Sequence, residues 1–177
     1  MHNHRRSLVT TALLLTLSAA LRAQHPAMPA GMTHEQHLAD MKKDAELKER
    51  GAAAMGFDQN KVAHHFLLDP RGGRIEVSVL DAADEESRNQ IRAHLREIAG
   101  DFSNGNFDKP FATHNEVPPG VRTMKARRTA ITFDYEDIPG GGRVRIASRD
   151  PKASAAVRTF LRYQIREHKT GDPAAVK

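Results

Sequence analysis

From Val62 onward, two hydrophobic rhythms alternate along the chain. In "VAHHFLL" (62–68) the period is two: Val62, His64, Phe66 and Leu68 share one face, and Ala63, His65 and Leu67 the other, which predicts a β-strand. The turn "DPRGG" leads into "RIEVSVL", where Ile75, Val77 and Val79 alternate. The period then lengthens. Between about Asp84 and Ala99, Ile91, His94, Leu95 and Ile98 fall at i, i+3, i+4 and i+7, predicting a helix that Gly100 closes. The same order returns in "AITFDYE" (Ile131, Phe133 and Tyr135 alternating), "IPGGG" and "RVRIAS". A helix follows, with Asp150 as N-cap, Pro151 in its first turn and Gly171 at its end; its stripe is Val157, Phe160, Leu161, Gln164, Ile165 and His168.

"GGRIEVSVLD" and "GGRVRIASRD" align at an offset of 69, the mark of an internal ββα duplication with repeat 1 at 62–100 and repeat 2 at 129–171. The expected fold class is α+β: a four-stranded, mainly antiparallel sheet with two helices on one face, in a single domain at 60–171. Between the repeats, the glycines and prolines of 101–120 predict a long irregular loop pinned by Phe102, Phe107 and Phe111.

Upstream, Thr33 and Gln36 form a capping box for an N-terminal charged helix at 33–51, stopped by Gly51, with only Leu38, Met41 and Ala45 on a narrow apolar face and Glu46 to Arg50 as an i,i+4 pair. Residues 24–32 are rich in Pro and Ala and read as a flexible tether. Residues 1–23 have the layout of a signal peptide: Arg5 and Arg6, an apolar run from Leu8 to Ala20, then small residues at Ala20 and Ala23. The paired arginines match a twin-arginine signal only in part. The run is shorter than the roughly 20 residues that span a bilayer, so the expectation is a periplasmic or secreted protein with no transmembrane anchor.

Cleavage would change the charge. The whole chain carries +5; losing Arg5, Arg6 and Arg22 leaves 24 basic against 22 acidic residues, too even a balance for a nucleic-acid partner. The remaining basic cluster is Arg122, Lys125, Arg127 and Arg128. The chain has no cysteine, which excludes disulfides, thiolate metal sites, Fe–S clusters and covalently attached c-type haem.

Without thiols, the softest metal site available is built from imidazole and thioether, donors that suit copper, with zinc as the alternative. If the inward face of the first strand meets the first long helix and the loop folds over its edge, His64 or His65, His94 and His114 converge as ligands, with Met55 as a fourth donor and Gln164 and His168 as orienting neighbours. Met124 lies near the same region. A looser N-terminal site is offered by His25, Met28, Met32, His34, His37 and Met41. The competing reading of each histidine is local: His64 hydrogen-bonded in the core, His65 on an open sheet face, His94 satisfied by a carbonyl or by Gln164, and His168 in a last helical turn favoured by the macrodipole.

Motifs for catalysis are missing. There is no G-x-S-x-G elbow and no H-E-x-x-H pair, "HEQH" at 34–37 being one residue short; the glycines at 140–142 join two strands and make no phosphate cradle. The expected function is exported copper binding for sequestration, delivery or tolerance, without turnover. A metal-free module, forming a homodimer through its sheet face or holding a small acidic ligand near Arg127 and Arg128, is the alternative. A metal-dependent hydrolase with Glu116 as base comes third.

The segments "RGAAAMGFDQNK", "HHFLL" and "FLRYQIREHKTGD" resemble a family of small exported bacterial proteins without an established function, and the resemblance covers most of the chain beyond the signal. Some members are labelled aspartate carbamoyltransferase, but this chain is far shorter than that enzyme and lacks its Ser-Thr-Arg-Thr-Arg phosphate loop, so that activity does not carry over. The resemblance implies that Met55, His64, His65, His94, His114 and His168 are positions that matter, and implies no mechanism.

Overall fold

A computed structural model describes residues 31–176; the signal segment, residues 24–30 of the tether, and with them His25 and Met28 of the loose N-terminal site lie outside the described residues. The chain is α+β. Strands β1 (Val62–Asp69), β2 (Gly72–Val79), β3 (Ile131–Ile138) and β4 (Gly141–Ser148) form one antiparallel sheet in the order β1-β2-β4-β3. Two hairpins therefore join through their second strands, with Ile75 opposite Val144 at the centre.

Both long helices lie on one face of this sheet. Helix α2 (Glu85–Ser103) crosses chiefly over β3 and β4, while α5 (Pro151–Glu167) crosses over β1 and β2, so each covers the hairpin of the other half. Their stripes supply the middle of the core: Ile91 and Leu95 from α2, Val157, Phe160 and Leu161 from α5, all at most 2% exposed, against Val77, Val144 and Ile146 of the central strands. The other sheet face is charged and open. There Glu76 accepts from both Arg74 and Arg143 at 2.6 Å, and Arg143 also reaches Glu136 at 2.7 Å.

The paired glycines after each turn belong to the strands. A Cβ on Gly73 (φ +154°) would stand 2.2 Å from the Leu67 carbonyl oxygen and 2.6 Å from Leu161 Cδ1. Only a residue without a side chain lets α5 sit this close to the sheet.

Three helix boundaries depart from expectation. Helix α1 runs His34–Met55, past Gly51, and stops at Gly56 in the left-handed conformation. Helix α2 continues past Gly100 to Ser103 because Phe102, 1% exposed, prolongs the stripe of Leu95, Ile98 and Ala99. Burying a phenylalanine contributes about 1.5–3 kcal/mol, which outweighs the 0.5–1 kcal/mol or so that a mid-helix glycine costs. At the far end, α5 ends at Glu167, before Gly171, with His168 as C-cap.

The 101–120 stretch is also more regular than its composition implies. It holds α3 (Asp108–His114), in whose first turn Pro110 needs no N–H partner, and the chain goes on into α4 (Val121–Ala126). Phe102 and Phe107 stack with ring centroids 4.4 Å apart and anchor the segment, whereas Phe111, expected as a third pin, is exposed. Helix α4 buries Val121 and Met124 against α5. No helix among the described residues is long and apolar enough to cross a membrane.

Candidate functional site

His64, His94, His114 and His168 arrive from four different elements and line a single cavity of about 70 Å³. The pleat puts His64 there: Val62, Phe66 and Leu68 of the same parity are buried, so the imidazole between them faces inward as well. His94 extends from α2 beside buried Leu95. His114 is the last residue of α3, Asn115 taking the left-handed conformation that ends the helix. His168 follows Gln164 by one turn of α5, and Met55, the last residue of α1, completes the wall on that side.

The rest of the wall is apolar, with Phe66, Val77, Leu95, Phe102 and Phe160 prominent, and no Asp or Glu lines it. A water occupies about 10–15 Å³ by a comparable measure. The cavity has room for an ion and several further atoms.

His168 stands in the middle of the imidazoles. Its ring centroid is 5.1 Å from that of His114, with the planes at 81°, and 6.0 Å from that of His64, with the planes at 12°. Phe57 stacks on His64 at 5.9 Å and meets the ring of His94 edge-on at 5.5 Å, while Tyr163 meets His114 edge-on at 4.9 Å.

Hydrogen bonding leaves this site incomplete. His114 Nε2 lies 2.9 Å from Gln164 Oε1. An amide oxygen only accepts, so in this orientation a neutral His114 carries its proton on Nε2 and presents Nδ1 as a bare lone pair. That Nδ1 is buried without a partner, and so are His64 Nε2 and Gln164 Nε2. An orphaned buried polar atom costs about 1–3 kcal/mol. Three such atoms around one cavity are a debt that a ligand would remove.

Burial also keeps the rings neutral. It lowers His64 to about 4, with His65 adding repulsion, and His94 to about 4, with Lys109 adding repulsion. His168 falls to about 3, from burial first and then from His64 and His114. Burial lowers His114 too, opposed by its hydrogen bond to Gln164 and by Glu167 and Glu116. At neutral pH the cavity therefore offers imidazole lone pairs with no proton to displace.

The expected residues separate accordingly. His64, His94, His114, Met55, Gln164 and His168 come together at the cavity. His65 does not: strand parity turns it outward, where its Nδ1 lies 2.9 Å from Asp172, so it leaves the ligand set. His94 faces the cavity, but its ring neighbour is Phe57, not a second imidazole. His168, expected only as an orienting residue, holds the central place. The amide expected to satisfy His94 is bonded instead to His114.

Of the loose N-terminal set, Met32, His34 and His37 stand apart from the cavity, and Met41 lines a groove between α1 and the end of α5 that also touches His168. Met124 is packed in the core. Among the described residues, no group of three or more His, Cys, Asp or Glu side chains stands ready in metal-holding geometry. Sequence reasoning did not single out Phe57, which backs two of the histidines, or Lys109 at the cavity wall, which pairs with Glu97 at 3.0 Å. Neither has a signal in local spacing. Comparisons with protein-family models, curated proteins and solved structures found no match for this chain.

Proposed function

We propose that the chain is an exported, periplasmic or secreted protein that binds one transition-metal ion, copper(I) in preference to zinc, in the histidine cavity, and serves in sequestration, delivery or tolerance. The observation that carries this reading is the pair of unpartnered ring nitrogens, His64 Nε2 and His114 Nδ1, on either side of the His168 ring. A metal–nitrogen bond of about 2 Å puts the centroids of two imidazoles on one ion roughly 5–6.5 Å apart, depending on the angle between them. The spacings of 5.1 and 6.0 Å about His168 lie within that span.

Copper(I) accepts two or three donors and tolerates the thioether of Met55 as a further one. Zinc asks for four in a tetrahedron, a set that small rotations of these rings do not complete without an outside ligand. The N-terminal His and Met residues then act as a loose collecting segment.

A second reading rests on the same orphan atoms: two imidazoles and an amide donor above an apolar floor also suit a small neutral molecule without metal. The remaining alternatives lose their residues. Glu116 accepts from the Tyr163 hydroxyl at 2.5 Å and does not line the cavity, so a hydrolase would lack that base. Arg127 pairs with Asp150, the N-cap of α5, at 2.5 Å and is not free for an acidic ligand.

The test is anaerobic titration of the untagged chain lacking residues 1–23 with copper(I) against a competing chelator, and with zinc. One tight equivalent is expected, weakened at least about tenfold in His64→Ala, His114→Ala and His168→Ala and unchanged in His65→Ala, each variant checked for native circular dichroism. Wild-type affinity in all three cavity variants would refute the metal reading.

A further inference from the structure

The proposed ion accounts for two of the three orphan atoms and leaves the third. Gln164 is 4% exposed, its oxygen is engaged by His114, and its Nε2 has no partner. An N–H group repels a cation and cannot join its coordination shell. We infer that the site takes a second, exogenous ligand together with the ion: a small monoanion, held between the metal and Gln164 Nε2. This inference rests on the metal reading above and names what completes the coordination.

Three observations fix the class of ligand. The acceptor must carry lone pairs for both the metal and the amide, which a carboxylate, an azide or a cyanate does. The wall around it includes no carboxylate, and its one formal charge outside the imidazoles is Lys109, itself paired with Glu97, so the field at the ion favours an anion over a second cation. Beyond the amide lie Val77, Leu95 and Phe160, so whatever extends past the anionic head is short and apolar. A cavity of about 70 Å³ admits a few heavy atoms besides the ion and excludes an amino acid or a nucleotide.

Gln164 is thereby a specificity-determining residue. Its oxygen presents His114 to the metal, and its nitrogen selects the second ligand.

The experiment loads the chain lacking residues 1–23 with one equivalent of copper(II), verifies the metal content by elemental analysis, and titrates azide while following the azide-to-copper charge-transfer band. Wild type should bind azide saturably, with acetate competing. Gln164→Glu keeps an oxygen for His114 Nε2–H but sets a negative group where the N–H stood; Gln164→Met keeps the volume and removes both functions. Azide affinity, measured on fully loaded protein, should fall about tenfold or more in each. Equal affinity in wild type and Gln164→Glu, both loaded, overturns the second-ligand inference while the metal site stands. A wild-type protein that retains no metal overturns the site itself and this inference with it.

Discussion

Acidification of the metal-free protein should unfold it through its histidines, in a pH range that no carboxylate shares. Unfolded, each imidazole titrates near 6.5; folded, His64 and His94 do so at about 4 and His168 at about 3. A depressed folded value means that the proton prefers the unfolded chain. Stability is therefore full above about pH 6.5 and declines as the pH falls from there toward 4. At pH 5 each of the three histidines has forgone about 1.5 pH units at about 1.4 kcal/mol per unit, or roughly 2 kcal/mol.

Repulsion between His64 and His168 contributes to the position of both, so the total is less than additive, about 4–6 kcal/mol. Set against the 5–15 kcal/mol or so of an ordinary domain, that is most of the margin. The assay is urea unfolding followed by far-ultraviolet circular dichroism, in chelator, at half-unit steps from pH 7.5 to 5. The carboxylates that are held low, such as Glu76 and Asp172, lose their contribution only below their own unfolded values and leave this window clear. His168→Leu should flatten the dependence by about 1.4 kcal/mol per pH unit between 6 and 5. Equal stability at pH 7.5 and 5, to within about 0.5 kcal/mol, would show that the rings are hydrated in solution and the cavity is not closed; so would a His168→Leu slope equal to wild type.

Two further substitutions probe the frame. Gly73→Ala forces a methyl group onto the Leu67 carbonyl and Leu161, and should lower the unfolding free energy by about 2–4 kcal/mol, seen as a lower melting temperature with metal stoichiometry unaltered once folded. His65→Ala removes only an exposed partner of Asp172 and should cost less than about 1 kcal/mol, whereas Asp172→Ala also orphans the Phe66 N–H that its carboxylate accepts at 2.9 Å and should cost more, about 1–2 kcal/mol by urea titration.

The strands were legible because their signal is local. Alternation at 62–68 and at 74–79 states which side chains face inward, and β1 and β2 follow it. Helix ends were not legible at Gly51 and Gly100, since the residues that carry the helices onward act at a distance: Gly51 is pressed against the Gln59 side chain, and Phe102 is buried against Phe107 and Phe160. The same applies at 101–120. Glycine and proline lower local propensity there, and aromatic anchoring together with Met124 restores order.

The site divides along the same line. That His64 faces inward and His65 outward follows from parity alone. That His168 stands between His64 and His114 does not, because it depends on α5 crossing β1 rather than its own hairpin, and on α3 folding back beneath it. Seen only as a stripe, polar residues at 94, 164 and 168 fit a core satisfied by its neighbours. What distinguishes the cavity from such a core is which atoms are left over. Each unpartnered atom costs about 1–3 kcal/mol, and leucine or phenylalanine at 64, 114 and 164 would remove that cost and fill the void as well. A sequence shaped for packing alone would drift to those residues, since apolar replacement of a whole polar group is neutral or stabilising. Imidazole and amide at these positions are therefore explained by what enters the cavity and not by what surrounds it.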